Sequence, residues 1–143
     1  MSDKIYIASD HAGFELKQFL IEKLSQEYSV SDLGCASSET SVDYPDVAKD
    51  LCVKISDYTS FGILICGSGI GMSIAANRNN NVRAALCFDE ELAKLARNHN
   101  DANVLCLGSR FISNDQASKI VDSFLANKFE AGRHENRVQK LSS

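Results

Sequence analysis

The residues best equipped for chemistry lie in the stretch 61–78, FGILICGSGIGMSIAANR. An apolar run over 61–65 ends on a thiol, Cys66. Gly67, Ser68, Gly69, Ile70 and Gly71 come next, and helix-forming residues follow them. This order predicts a buried strand, a glycine loop and a helix start. With no Cβ atoms to block the approach, the backbone N–H groups of such a loop can crowd around an anion. The positive end of the helix also favours the charged form of a neighbouring cysteine, so Cys66 is a candidate reactive thiolate.

Other polar residues are spaced so that they could join it. Asp10 and His11 follow a first apolar run, Asp89 follows a fourth, and Ser109 with Arg110 follows a fifth. His99 and Asn100 stand just before that fifth run. Arg133 and Arg137 are spaced i, i+4, with Lys140 near the same face. Two adjacent guanidinium groups can grip a phosphate bidentately. Each feature also has a plainer reading. An exposed arginine pair is most often a solvated face, a cysteine at a strand end is most often core, and a lone histidine in a turn is more often structural. Only their conjunction raises the functional reading.

Two competing loops can be compared directly. The sequence lacks G-x-x-x-x-G-K-[ST], so this is not a P-loop. It also misses G-x-G-x-x-G, because Met72 occupies the place of the third glycine. Asp89 does imitate the ribose-binding acid of a dinucleotide fold. Yet a dinucleotide site would leave little of this chain to hold a second substrate.

The elements that must position these residues follow from hydrophobic periodicity. Strands are expected at 4–9, 28–33, 61–65, 82–87 and 103–107. Helices are expected at 14–26, from Pro45 onward, after the glycine loop, at 90–97, at 116–127 and at about 132–141. Asn79, Asn80 and Asn81 tolerate a left-handed cap at the end of the helix after the loop, and residues 98–101 are expected to turn the chain. Five alternations of apolar strand and helix describe a parallel sheet with helices on both faces, in one domain over 1–143. Ligands of such sheets bind beyond the carboxyl ends of the strands, where strand order reverses. Asp10, Cys66 to Gly71, Asp89 and Arg110 all fall at that end. His99 and Asn100 fall at the opposite end, so they could join the site only from a neighbouring subunit or by an unusual loop path. That hints at an oligomer.

Composition narrows the class. The 143 residues are 44% hydrophobic and 24% charged, with a formal net charge of -4 and no basic block. This argues against nucleic acid or an anionic membrane as the main partner. No apolar run approaches membrane-spanning length, and the acidic, strand-like start does not read as a secretory signal. The five cysteines, Cys35, Cys52, Cys66, Cys87 and Cys106, form no C-x-x-C pair. Reduced thiols in a cytoplasmic protein are expected, and no metal site.

Five segments resemble type B ribose-5-phosphate isomerase, whose wider group includes the subunits of galactose-6-phosphate isomerase. They are SDHAG at 9–13, DYPDVA at 43–48, ICGSGIGMSIAANR at 65–78, HNDANVLCLGSR at 99–110 and GRHENRV at 132–138. The resemblance covers nearly the whole chain in the family's order. It implies a doubly wound, Rossmann-like α/β fold with five parallel strands. It implies interconversion of ribose 5-phosphate and ribulose 5-phosphate through an enediolate, a reaction of the pentose phosphate pathway, without metal or organic cofactor. The implied assembly is a homodimer with shared sites, or a tetramer containing it. By the same resemblance Cys66 is the base, and His99 of a partner subunit assists opening of the sugar ring. Gly67, Ser68, Gly69, Ile70 and Gly71 bind the enediolate. Asp10 and Asn100 contact sugar oxygens, and His11, Arg110, Arg133 and Arg137 surround the phosphate. One branch of the family carries a glutamate base where this chain has Met72, which cannot take a proton. The sequence therefore sides with the cysteine branch. Ser68 stands where a threonine is common and keeps the hydroxyl. Two other readings stay open: a phosphate-binding module without catalysis, and one subunit of a hetero-oligomeric hexose-phosphate isomerase.

Overall fold

A computed structural model describes residues 3–55 and 60–142. Five strands, β1 (Lys4–Ser9), β2 (Ser29–Asp32), β3 (Ser60–Cys66), β4 (Ala84–Leu86) and β5 (Val104–Gly108), form one sheet in the order β2-β1-β3-β5-β4. Every pairing is parallel, with Ile7 opposite Ile63 and Ile63 opposite Leu105 across the centre. Among the described residues, six helices connect or follow the strands: α1 (Phe14–Leu24), α2 (Tyr44–Cys52), α3 (Ile70–Ala76), α4 (Glu90–Asn100), α5 (Asn114–Ala126) and α6 (Glu135–Leu141).

Side chains alternate across the central strands, so each face needs its own cover. Ile5, Ile7, Ile63, Ile65, Leu105 and Leu107 face α1, α4 and α5, meeting Leu16, Leu20, Ala93, Ile120 and Phe124. Ala8, Leu64, Cys66, Val104 and Cys106 face α2 and α3, meeting Ala48, Leu51, Met72 and Ala76. This is the doubly wound arrangement expected from the alternating pattern. Strand order reverses between β1 and β3, since β1 leads outward to β2 and the chain then returns to β3. The crevice at that switch point lies between the ends of β1 and β3, where Asp10 and Cys66 stand.

Several expected boundaries shift. The helix expected at 90–97 runs to Asn100, and Asp101 alone turns the chain, at φ 47. His99 and Asn100 therefore ride on the last turn of α4. Two arginines make that turn tenable: Arg97 Nη1 and Arg83 Nη2 lie 3.1 and 3.3 Å from the Asp101 carboxylate. Asn79, Asn80 and Asn81 form no left-handed cap, because α3 ends at Asn77 in right-handed geometry. Side-chain amides take over the task, with Asn79 donating to the Ala76 carbonyl and Asn81 to that of Cys52. The C-terminal helix is split: a 3-10 turn covers Gly132–His134 and α6 begins at Glu135, so Arg133 and Arg137 sit on different elements.

Candidate active site

Asp10 continues the ladder beyond β1, its amide donating to the Ile65 carbonyl at 3.1 Å, which brings it alongside Cys66. Both are nearly buried, at 7% and 5% exposure. The Asp10 carboxylate accepts the Gly13 amide at 3.1 Å and so caps the short turn that carries His11. The Cys66 sulfur accepts the Gly69 amide at 3.2 Å, and the Ser68 hydroxyl accepts that of Ile70, also at 3.2 Å. Gly69 can serve this turn because it takes φ 80, where a side chain is strained. A Cβ there would also run into Leu86 and the carbonyl carbon of Leu107. In the first turn of α3, the amide of Gly71 has no preceding helical carbonyl to bond.

The end of β5 closes the opposite wall. Ser109 donates its amide to the Cys66 carbonyl at 2.9 Å, and Arg110 donates to that of Gly67 at 3.0 Å. The Arg110 guanidinium lies flat over Gly67, and a Cβ there would come within 3.0 Å of Nη1. The Ser109 hydroxyl donates to Ala12 at 2.9 Å, tying this wall to the turn after β1. Between these walls lies a cavity of about 540 Å³ lined by Asp10, Tyr44, Cys66, Gly67, Ser68, Ile70, Gly71, Ile74, Arg110 and Phe111. A thiol, a carboxylate, a guanidinium and a glycine loop thus converge on one space. Such a set can hold a polar ligand against a group able to accept a proton.

Of the expected site residues, Asp10, Cys66, Gly67, Ser68, Ile70, Gly71 and Arg110 line this cavity, and Gly69 shapes it from behind. His11 turns toward the 36–43 loop, its Nδ1 accepting the Val42 amide at 3.3 Å. His99, Asn100, Arg133 and Arg137 are not among the lining residues. His99 is half-buried at the far end of the sheet, its ring stacked on His134 at 4.2 Å between centroids and 14° between planes. Glu130 Oε1 lies 3.7 Å from His99 Nε2. Partial burial first, then the neighbouring His99, Arg133 and Arg137, holds the His134 imidazole below its ordinary range, against an opposing pull from Glu130.

Sequence reasoning missed Tyr44 and His134. Tyr44 packs so closely on Gly71 that a Cβ there would lie 2.5 Å from its Cζ. An aromatic directly before the helix-opening Pro45 was the available signal. His134 stands between two arginines in GRHENR, and its partnership with His99 spans a separation that no local pattern reports. Asp89, the acid that imitated a dinucleotide site, caps α4 through the Leu92 amide at 2.8 Å. It follows edge strand β4, with β5 lying between β4 and β3. Met72 is fully buried in the core, out of reach of any ligand. Three other thiols are also core groups. Burial pushes Cys52 up to about 11, burial and then Asp89 push Cys87 up to about 12, and burial raises Cys106 as well.

A second cavity, of about 250 Å³, opens at the amino end of the strands beside Arg83, Arg97 and Asp101. Its two guanidinium groups both engage Asp101, so part of their charge is answered within the chain. Among the described residues, no helix is long and apolar enough to cross a membrane.

A family described as Ribose/Galactose Isomerase matches residues 5–141. The chain is 49% identical over 143 residues to a Mycoplasma pneumoniae protein named probable ribose-5-phosphate isomerase B, covering 99% of this chain and 94% of that one. The solved ribose 5-phosphate isomerase B of Anaplasma phagocytophilum superposes with a TM-score of 0.94 at 55% identity, over 98% of this chain and 97% of that one. The Mycoplasma genitalium ribose-5-phosphate isomerase B, solved with bound ribulose-5-phosphate, superposes with a TM-score of 0.94 at 46% identity, over 99% and 95% of the two chains.

Proposed function

The chain belongs to the ribose/galactose isomerase family, and on that footing we propose that it interconverts ribose 5-phosphate and ribulose 5-phosphate with Cys66 as the base. The observation that carries this reading is the Cys66 sulfur itself. It lies at the wall of the 540 Å³ cavity, beside Asp10 and in contact with the glycine-loop amide of Gly69.

The reaction moves a proton between C1 and C2 of an open-chain sugar. It needs a base near carbon and donors near the oxygen on which charge grows. Cys66 takes the proton from C2 and returns it to C1, passing through an enediolate in which the O2 proton passes to O1. First-turn amides of α3 and the Ser68 hydroxyl stabilise the developing oxyanion. Asp10 holds sugar hydroxyls. The phosphate end is remote from the reacting carbons, so its binding energy can be used to position them.

His99, Asn100, Arg133 and Arg137 serve the site of a second copy. Their placement at the far end of the sheet supports this reading, because no path within one chain brings them to Cys66. The working unit is then a homodimer with shared sites, alone or within a tetramer. His99 assists ring opening, and Arg110 and His11 meet Arg133 and Arg137 of the other copy around the phosphate. We place the reaction in the cytoplasm, as part of the pentose phosphate pathway; five free thiols suit a reducing compartment.

Turnover of the purified chain with ribose 5-phosphate, allose 6-phosphate and galactose 6-phosphate tests the assignment. Activity on ribose 5-phosphate is expected without any second polypeptide. No activity with any of the three would favour a binding module, and activity only after adding another subunit would favour a hetero-oligomer. Cys66→Ala should retain binding and lose isomerisation by about 10²-fold or more. Mixing inactive Cys66→Ala and His99→Ala chains should restore part of the activity through hybrid dimers. No recovery after verified subunit exchange would place the site within one chain.

A further inference from the structure

Away from the cavity over Cys66, three potential metal donors have been gathered from separate turns of the chain. His99 lies in the last turn of α4, Glu130 belongs to the segment after α5, and His134 closes the 3-10 turn at 132–134. Their donor atoms all lie within 4.8 Å of one another. Hydrogen bonds to the backbone hold the group together. The Glu130 amide donates to the Asn98 carbonyl at 2.9 Å, the His134 amide to Ala131 at 3.0 Å, and Arg97 Nε to Asn127 at 3.4 Å.

We propose that His99, Glu130 and His134 form a binding site for a divalent transition-metal ion of the zinc, cobalt or nickel class, and that an ion held there inhibits the enzyme by withdrawing His99. Two imidazole nitrogens and one carboxylate oxygen suit these borderline ions and are a poor set for magnesium or calcium, which prefer oxygen throughout. Zinc–nitrogen bonds are about 2.0–2.1 Å long, so the donors must close in from their present separation. The stacked rings must splay for their lone pairs to converge. All three side chains are at least partly exposed, with His99 at 36% and Glu130 at 57%, so rotation about their own torsions can achieve this. Three protein donors leave a fourth position open to water.

Arg133 opposes the ion. Its Nε lies 3.5 Å from His134 Nε2, and its charge weakens the site relative to a closed structural zinc centre. The site is therefore reversible and emptied by a chelator. Metal binding stands independently of the proposed function. Only its inhibitory consequence rests on that reading of His99.

The test is a cobalt(II) titration of the whole, metal-free protein followed by visible absorption. One ion per chain is expected, with ligand-field bands and no intense sulfur-to-metal charge transfer. Glu130→Gln and His134→Ala should each weaken binding at least tenfold, with circular dichroism and Tm confirming the fold. Zinc should inhibit turnover, a chelator should restore it, and Glu130→Gln should need at least tenfold more zinc. Magnesium should do nothing. A thiolate charge-transfer band, or binding indifferent to both substitutions, overturns the site. Binding through these residues with zinc-insensitive turnover overturns the inhibitory half and counts against the role given to His99, leaving the site itself intact.

Discussion

The amide of Gly69 donates to the sulfur of Cys66 across 3.2 Å, so the residue we propose as the base is also the residue that folds its own loop. The turn that permits this bond requires φ 80 at Gly69. The proposed reactivity and the local backbone geometry are therefore coupled at one position.

Gly69→Ala tests that coupling. The left-handed backbone costs a side chain about 1–3 kcal/mol, and the new Cβ meets Leu86 and Leu107. The loop must shift, and a displaced thiol should cost about 10² in turnover. A urea midpoint and a kcat measured on the same preparation check both effects.

Arg137→Ala should act on binding rather than on chemistry. A charge-assisted hydrogen bond to phosphate contributes about 1.5–3 kcal/mol, so KM for ribose 5-phosphate should rise by roughly 10–100-fold while kcat changes little. An unphosphorylated sugar should show no such loss. Equal loss with both substrates would remove Arg137 from the phosphate.

Lys17 and Asp32 should prove unequal partners. Lys17 is completely buried and its ammonium lies 2.9 and 2.8 Å from the two Asp32 oxygens, whereas the Asp32 side chain is 42% exposed. Asp32→Ala leaves the buried ammonium without a carboxylate, held only by Gln18 Oε1 at 3.0 Å, and should cost about 3 kcal/mol. Lys17→Met leaves a carboxylate that water can reach and should cost less. Asp32 also accepts the Gly34 amide, and the Gly34 carbonyl accepts the Ser9 amide beside Asp10. Urea denaturation of the two variants gives the comparison.

Stability should fall at alkaline pH. Cys52 is pushed up from 9.0 to about 11 and Cys87 from 9.0 to about 12, and Cys106 moves in the same direction. Above pH 9 the unfolded chain releases these protons while the folded chain retains them. The folded state thus loses about 1.4 kcal/mol per pH unit per thiol through this window. Below pH 9 the contribution is constant. Tm measured from pH 7 to 10.5 should be flat and then decline, and Cys87→Ala should make the decline shallower.

Much of this architecture was legible in the linear chain because its signals are local. Apolar runs such as 61–65 declare a strand buried on both faces, and the order strand, glycines, helix declares a loop at the carboxyl end of the sheet. Cys66, Asp10 and Arg110 could be assigned to one end of the molecule from connectivity alone, and they do share one cavity. Methionine at position 72 also set the chain, by its resemblance, with the cysteine branch of the family. Tertiary structure decided what depends on distant segments. It set β5 between β3 and β4, which removed Asp89 from any role beside the glycine loop. It carried α4 one turn further than its periodicity suggested, because Arg83 and Arg97 answer the charge of a left-handed Asp101. It stacked His99 on His134 from positions far apart in sequence. Hydrophobic period and turn chemistry act within a few residues, whereas ion pairs, ring stacking and strand order exist only once the chain has closed on itself.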